Sequence, residues 1–126
     1  SRQDWLDRLP DSKRLTKKCL ERMPEYVSQL NDRDFVICMT MGHAADKPIL
    51  EAIFKSEVQP NFIGAIGSRS KRGVLIRELE QSGIERSVSE TMVCPIGLPI
   101  GTNQPAEIAI SIAAQLLQRR DELRVV

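Results

Sequence analysis

The sequence lacks most of the features that mark self-sufficient enzymes. It contains one histidine, His43, and no G-x-S-x-G turn, so a conventional serine or cysteine triad is not supported. No G-x-G-x-x-G segment follows an apolar run, and no G-x-x-x-x-G-K-S/T segment occurs, so the usual dinucleotide and P-loop fingerprints are missing. These absences favour a binding or accessory protein over a catalyst.

Cysteine, net charge and long apolar runs are also scarce. The three cysteines, Cys19, Cys38 and Cys94, match no zinc-ligand spacing, so the reduced thiols of a cytoplasmic protein are expected. A net charge of +1 argues against nonspecific electrostatic binding to nucleic acid or to an anionic membrane. No run approaches the roughly 20 apolar residues of a membrane span, and no secretory leader is visible. We expect one soluble domain over residues 1–126.

The apolar pattern predicts an α/β protein with a parallel sheet. Continuous apolar runs over 35–40 and 62–66 are typical of strands that are covered on both faces. A helix is expected between them, with Asp46 as its N-cap, Pro48 in its first turn and an end near Ser56. The complete order of strand, helix, strand, helix, loop and helix indicates right-handed crossovers.

The second half of the chain carries clear helix boundaries. Ser68 is expected to cap a helix that Gly83 ends. The last helix is expected to begin at Pro105, to be largely buried over the apolar span 108–117, and to give way to a solvated tail from Arg119. The remaining segments are expected to form a turn or helix at 4–9, a strand or helix at 15–20, a short helix at 24–30, a short helix or loop at 84–91, and a rigid loop with a brief initial strand at 93–101.

Two turns are expected where parallel sheets bind ligands, beyond the carboxyl ends of the strands: 40–46 and 67–72. The helix after Ser68 carries three cations in its first turn, Arg69, Lys71 and Arg72. The helix dipole opposes each of them by a few tenths of a kcal/mol, whereas a bound anion reverses the sign. Gly67 would let a ligand approach the backbone closely. The turn is therefore a candidate phosphate or pyrophosphate site, and the alternative is a solvated basic turn.

The remaining candidate side chains allow more than one interpretation. His43, near Thr40 and Asp46, would serve as a proton carrier, a ligand contact or a metal ligand, or would only bond to the backbone. A metal site is not expected, because no second ligand lies at a suitable spacing. Asp46 is favoured as a helix cap over a base. Cys94 is favoured as a small buried hydrophobe over a thiol that contacts a soft metal or accepts sulfur.

Three segments in fixed order form a more specific pattern. They are T-M-G-H at 40–43 with Asp46; F-I-G-A-I-G-S-R at 62–69 with Lys71 and Arg72; and C-P-I-G-L-P-I-G at 94–101 followed by P-A-E-I-A at 105–109 and S-I-A-A at 111–114. Taken together over residues 35–117, they resemble the XdhC/CoxI family of xanthine dehydrogenase accessory factors. That family assists the maturation of molybdenum hydroxylases.

The resemblance implies a Rossmann-type, three-layer α/β fold and a chaperone-like role in handling the molybdenum cofactor (molybdopterin). Its partners would be a molybdenum hydroxylase apoenzyme and a cysteine desulfurase. The cofactor-binding residues would be Thr40, His43, Asp46, Gly67, Ser68, Arg69, Lys71, Arg72, Pro95 and Gly97. A domain that binds NAD(P) and a structural remnant without a site are the alternatives, since a fold does not fix function.

The resemblance also implies a departure from the family pattern. Family domains begin with a strand, a glycine-bearing turn, a helix and a second strand, and this chain begins after them, so its Rossmann fold is expected to be incomplete at the N-terminus. A sheet that lacks those strands exposes an edge, which favours pairing with another copy. A homodimer is therefore expected.

Overall fold

A parallel βαβ unit forms the centre of the molecule. The computed structural model describes residues 3–40 and 42–124. Strands β1 (Phe35–Cys38) and β2 (Phe62–Ala65) pair in parallel, and helix α2 (His43–Lys55) connects them. The predicted α/β class with a parallel sheet is confirmed, and the sheet has two strands among the described residues. Met41, which belongs to the first family-like segment, lies outside the described residues.

The two strands differ in how well they are covered. All four residues of β2 are buried, because β2 lies between β1 and an isolated parallel bridge that joins Gly64 to Val93. Only Cys38 is fully buried in β1, which pairs with no second strand in the described part of the chain. The prediction that both faces of each strand are buried is therefore confirmed for β2 and only in part for β1. Both strands end before residues 40 and 66, where they were expected to end.

Helix α2 begins one turn earlier than the sequence pattern indicated. Its N-cap is Gly42, whose carbonyl accepts hydrogen bonds from the amides of Ala45 and Asp46, both at 3.2 Å. The prediction that Asp46 caps the helix is therefore wrong, and Pro48 lies in the helix rather than in its first turn. The alanines at 44 and 45 favour helix, which extends the element toward β1. The predicted end near Ser56 is confirmed, since Lys55 is the last helical residue.

Helix α3 (Arg69–Gln81) has the predicted boundaries. The Ser68 hydroxyl accepts a hydrogen bond from the Lys71 amide at 3.1 Å, which is the expected N-cap. Gly83 follows the helix with a φ of +96°, a conformation that glycine adopts without strain. Leu75, Ile76 and Leu79 are buried in the core with residues of α2 and β2.

The last long helix, α5 (Pro105–Arg124), begins at Pro105 as predicted but is much more exposed than expected. Only Ser111 and Ile112 are buried, while Ile110 and Leu117 are 61% and 50% exposed. Only one face of α5 packs against other described residues, so the apolar side chains on its other faces remain exposed. The helix also continues through Arg119, where a solvated tail was expected.

Three short elements complete the described chain: α1 (Gln3–Leu6), a 3-10 helix (Met23–Gln29) and α4 (Arg86–Ser89). They agree with the short helices expected near residues 4–9, 24–30 and 84–91. Residues 15–20, by contrast, form neither the strand nor the helix expected there, because Leu15 makes only an isolated bridge to Ser12 and residues 16–20 have no regular partner. No helix among the described residues has the length and apolarity that a membrane crossing needs.

Candidate functional site

The two turns singled out in the sequence meet at the carboxyl edge of the sheet. The Ile66 amide donates a hydrogen bond to the Cys38 carbonyl at 3.0 Å, so the chain leaves both strands at the same level. Asp46 of α2 and Lys71 of α3 form an ion pair there, although 25 positions separate them in the sequence. The Asp46 side chain is fully buried and that of Lys71 is 15% exposed. The parallel crossover therefore brings two of the predicted site residues into direct contact.

Thr40 completes this buried polar cluster. Its hydroxyl donates a hydrogen bond to Oδ1 of Asp46 at 2.5 Å and lies 3.1 Å from the Gly42 carbonyl oxygen. The ammonium group of Lys71 contacts the other oxygen, Oδ2, and also donates to the Ile66 carbonyl. Both oxygens of the Asp46 carboxylate are thus satisfied without solvent, which is the condition for keeping a charge in a protein interior.

Gly67 makes room for Lys71 rather than for an open approach to the backbone. A Cβ atom built on Gly67 would lie 2.4 Å from Cδ and 3.2 Å from Cβ of Lys71. The lysine alkyl chain therefore crosses directly over Gly67 on its way to Asp46. The space that the sequence assigned to a ligand at Gly67 is occupied by this side chain.

The three cations at the start of α3 have different surroundings. Lys71 is paired inside the molecule, and Arg72 donates a hydrogen bond to the Glu90 carbonyl at 3.0 Å, at the end of α4. The Arg69 side chain is exposed and makes no hydrogen bond or ion pair with the described residues. Neither Arg69 nor Arg72 pairs with a carboxylate among the described residues, so both guanidinium groups add positive charge to the helix dipole at this end of α3, and Arg69 alone has no hydrogen-bond partner.

His43 faces α3 rather than the polar cluster. Its Nε2 lies 3.6 Å from Oε1 of Glu78, and the two side chains are 49% and 36% exposed. This distance is too long for a hydrogen bond but allows an ion pair when the imidazole is protonated. The contact links the start of α2 to the C-terminal half of α3.

The loop after β2 runs along the same edge of the sheet. The Ile96 amide donates to the Ala65 carbonyl at 3.1 Å, and Cys94 Sγ lies 3.9 Å from the Ser68 carbonyl oxygen. Pro95 is exposed and follows a cis peptide bond. Gly97 has a φ of +107°, and its amide donates to Oε1 of Gln115 at 2.7 Å. Pro95 and Gly97 thus lie in the loop that borders the edge, with Gly97 holding α5 in place.

Two buried thiols flank the ion pair. Burial, together with the Asp46 carboxylate, raises the pKa of Cys38 to about 11. Burial also raises the pKa of Cys94, although the nearby Lys71 and Arg72 oppose the shift. Both thiols are therefore protonated at neutral pH and are poor nucleophiles, which agrees with the expectation that Cys94 is a small buried hydrophobe.

The described residues contain no cluster of three or more His, Cys, Asp or Glu side chains that could hold a metal ion. A cavity of about 800 Å³ lies at the opposite end of the sheet, lined by Pro60 and by Phe62 at the start of β2, and by Arg119 of α5. We assign the candidate site to the carboxyl edge, because the buried ion pair and the unpaired arginine both lie there.

The sequence interpretation missed the partners of the predicted residues, namely Glu78, Glu90 and the pairing of Asp46 with Lys71. One signal was available. Asp46, Leu50 and Ile53 are spaced for one helix face, and all three are buried. A carboxylate on an apolar helix face requires a cationic partner, and Lys71 stands four positions after a glycine that makes room for its side chain.

Comparisons with known proteins point to one family. A family model described as the XdhC Rossmann domain matches residues 2–116. The chain is 36% identical over 85 residues to the uncharacterized protein YqeB of Escherichia coli (strain K12), in a match that covers 68% of the chain and 15% of that protein. It is 29% identical over 98 residues to a probable xanthine dehydrogenase subunit of Bacillus subtilis (strain 168), in a match that covers 78% of the chain and 27% of that protein.

A solved structure agrees with these relatives. A crystal structure of a xanthine dehydrogenase from Bacillus halodurans superposes with a TM-score of 0.63 at 29% identity, over 82% of this chain and 29% of that one. The chain thus spans less than a third of each of these similar proteins.

Proposed function

Because the chain belongs to the XdhC Rossmann domain family, we propose that it is an accessory domain in the maturation of a molybdenum hydroxylase of the xanthine dehydrogenase type. In this role it holds the phosphate-bearing end of the molybdenum cofactor at the carboxyl edge of its sheet. The similarity to a probable xanthine dehydrogenase subunit supports the choice of enzyme class.

One observation carries the choice of site. Arg69 is an exposed cation at the start of a 13-residue helix, and no described residue neutralises it. The first amides of a helix have no partner within the helix, and the dipole places partial positive charge beside them. An anion bound at this position gains both interactions, whereas Arg69 alone is opposed by the dipole.

The residues at this edge fit a phosphate group. The Arg69 guanidinium is suited to bidentate contact with phosphate oxygens, and the amides of Arg69 and Ser70 precede the first hydrogen bonds within the helix. Lys71 is neutralised by Asp46, whereas Arg72 is held by a backbone carbonyl and adds positive potential without contacting the ligand. When bound, the cofactor supplies the molybdenum–pterin redox centre that the hydroxylase needs.

The partners of this proposal are a hydroxylase apoenzyme that receives the cofactor and a cysteine desulfurase that supplies its sulfur. A cytoplasmic location agrees with the buried thiols of Cys38 and Cys94, which form no disulfide. A homodimer formed through the outer edge of β1 is part of the same proposal, since β1 has no second strand partner among the described residues.

Titration with molybdopterin, followed by its fluorescence, tests the site. We expect Arg69→Ala to weaken binding about 10- to 100-fold, because a hydrogen bond to a charged group contributes about 1.5–3 kcal/mol. Arg77→Ala is the matched control, since Arg77 is exposed two turns further along α3. Equal affinity of the two variants for molybdopterin would remove the site from α3.

A parallel thermal-shift series compares the cofactor classes. Stabilisation by molybdopterin, and not by NAD(P), is the result that we expect. Stabilisation by NAD(P) alone would favour the dinucleotide-binding alternative, and no effect of either ligand would favour a structural role without a site.

A further inference from the structure

The cavity of about 800 Å³ at the amino end of the sheet is large enough to hold a small molecule. Ligand-binding clefts in proteins have volumes of about 300–1,000 Å³. None of the residues predicted for the cofactor site lines this cavity, so it is separate from the carboxyl edge of the sheet. We refer to it as the amino-end cavity.

The elements around the amino-end cavity supply two kinds of surface. Helix α5 contributes four polar side chains at the spacing of one helix face, namely Gln115, Gln118, Arg119 and Glu122. The end of α2, the start of β2 and helix α4 contribute apolar side chains, of which Phe54, Phe62 and Val88 are examples. A ligand in the cavity therefore meets hydrogen-bonding groups from α5 and apolar surface from the other elements.

The two glutamines of α5 keep hydrogen-bonding capacity for a ligand. Oε1 of Gln115 accepts from the Gly97 amide at 2.7 Å, which orients the carboxamide and leaves both hydrogens of Nε2 without a partner among the described residues. The Gln118 carboxamide makes no hydrogen bond with the described residues, so it offers a donor and an acceptor side by side. This arrangement matches the adjacent donor and acceptor on the edge of a nucleobase, such as N6 and N7 of adenine.

Charge makes the amino-end cavity unsuitable for anions. Arg119 and Glu122 are the only charged residues that line it in the described part of the chain. Nε of Arg119 donates to the Asn61 carbonyl at 2.9 Å, and Nη1 lies 3.4 Å from Oε2 of Glu122, so the arginine is already paired. Phe54 and Glu122 belong to the last turns of α2 and α5, where the helix dipole places partial negative charge. These features favour an uncharged ligand.

We propose that the amino-end cavity is a binding site for an uncharged nucleoside. A nucleobase has apolar faces and polar edges, which match the apolar surface and the two glutamines of the cavity. The ribose hydroxyls suit the hydroxyl groups of Ser87 and Thr91, which also line it, and the volume accommodates base and sugar together. Because the cavity shares no residue with the carboxyl edge, this proposal does not depend on molybdopterin binding.

Calorimetric titration with adenosine tests the site and its location. Val88 lines the cavity and is 40% exposed, so Val88→Trp should fill part of the cavity and weaken adenosine binding at least tenfold without unfolding the chain. Ile110→Trp is the matched control, because Ile110 is 61% exposed and does not line the cavity. Circular dichroism should show equal folding of both variants. Absence of measurable adenosine binding would overturn the proposal, as would an affinity that Val88→Trp leaves unchanged.

A comparison of adenosine with AMP tests the preference for an uncharged ligand. We expect AMP to bind at least tenfold more weakly in the cavity, and Glu122→Gln to narrow this difference, because it removes the carboxylate that opposes the phosphate. AMP that binds at the carboxyl edge is recognised because Val88→Trp does not affect it, so only the affinity that this substitution removes is compared. Gln118→Leu should weaken adenosine binding about three- to tenfold, as expected for the loss of a neutral hydrogen bond. Equal affinity of the cavity for adenosine and AMP would overturn the proposal.

Discussion

At the scale of single residues, the contact between Asp46 and Lys71 has the largest energetic consequence. Asp46 is fully buried, and its two oxygens are satisfied by Thr40 and Lys71. Removing one member of a buried ion pair leaves an uncompensated charge, which destabilises proteins by about 3–5 kcal/mol. The pair of Asp46 and Lys71 therefore stabilises the fold and also lies at the candidate site.

Lys71→Ala should therefore lower the free energy of unfolding by about 3–5 kcal/mol in urea denaturation. Lys55→Ala is the control, because Lys55 forms only an exposed pair with Glu51, and such pairs contribute about 1 kcal/mol or less. Replacing Asp46 and Lys71 together by leucine should lower stability less than Lys71→Ala does. A loss below about 1 kcal/mol for Lys71→Ala would contradict the buried pair.

Gly67 and Gly73 form a contrasting pair. Gly67→Ala should destabilise the fold, because the new Cβ would meet the Lys71 side chain at 2.4 Å while its ammonium group is held by Asp46. Gly73→Ala should stabilise it by about 0.5–1 kcal/mol, since Gly73 lies inside α3 with nothing within 4 Å of the added atom. Thermal denaturation measures both, and shifts of the same sign would refute the assignment of Gly67.

Cys38 predicts a dependence of stability on alkaline pH. Its pKa is about 11 in the folded chain against an ordinary value of 9.0, so the unfolded state loses this proton first as the pH rises. Stability from this group is complete below pH 9 and declines between pH 9 and 11, by up to about 1.4 kcal/mol for each unit of pH. Urea denaturation of Cys38→Val should show a smaller decline, and equal slopes for both chains would argue against this origin.

At the scale of elements, local signals predict helix ends well and burial poorly. Ser68 and Gly83 define α3 because capping and a positive φ depend on a few neighbouring atoms. The start of α2 was predicted wrongly because Asp46 has the composition of a cap but a position on the apolar face. Which faces of α5 are covered depends on neighbours that are distant in sequence, and no periodicity reports them.

The N-cap of α3 is open to a direct test. Ser68→Ala should destabilise the chain by about 1 kcal/mol, because the Lys71 amide loses its acceptor. Ser70→Ala is the matched control, since Ser70 is exposed within the first turn and the Ser68 cap does not depend on it. Chemical denaturation of the two variants should separate them, and equal stability would show that the cap hydrogen bond contributes nothing.

At the scale of the whole molecule, the core and α5 differ in how firmly they are held. Buried residues of β1, β2, α2 and α3 form one hydrophobic cluster, and no residue of α5 belongs to it. The ion pair between Asp46 and Lys71 was not predicted from the sequence, because the contact depends on the complete crossover. The sequence did predict at which edge of the sheet the site lies. The apolar runs predict where the strands end, and ligands bind beyond the carboxyl ends of parallel strands.

This difference predicts an order of local opening. In hydrogen exchange, we expect the amides of α5 to exchange faster than those of β2 and α3, because few buried contacts hold α5 in place. Uniform protection across all three elements at low concentration would contradict this order.

The crossover that joins Asp46 to Lys71 also means that the proposed anion site forms only when the chain folds. A chain with β1 and β2 apart has no paired lysine and no ordered start of α3, so it offers a ligand nothing to recognise. Any molecule that settles there binds only the finished fold and shifts the population toward it in proportion to its concentration. If the chain has the proposed function, a copy that has not completed its fold would therefore not bind the cofactor.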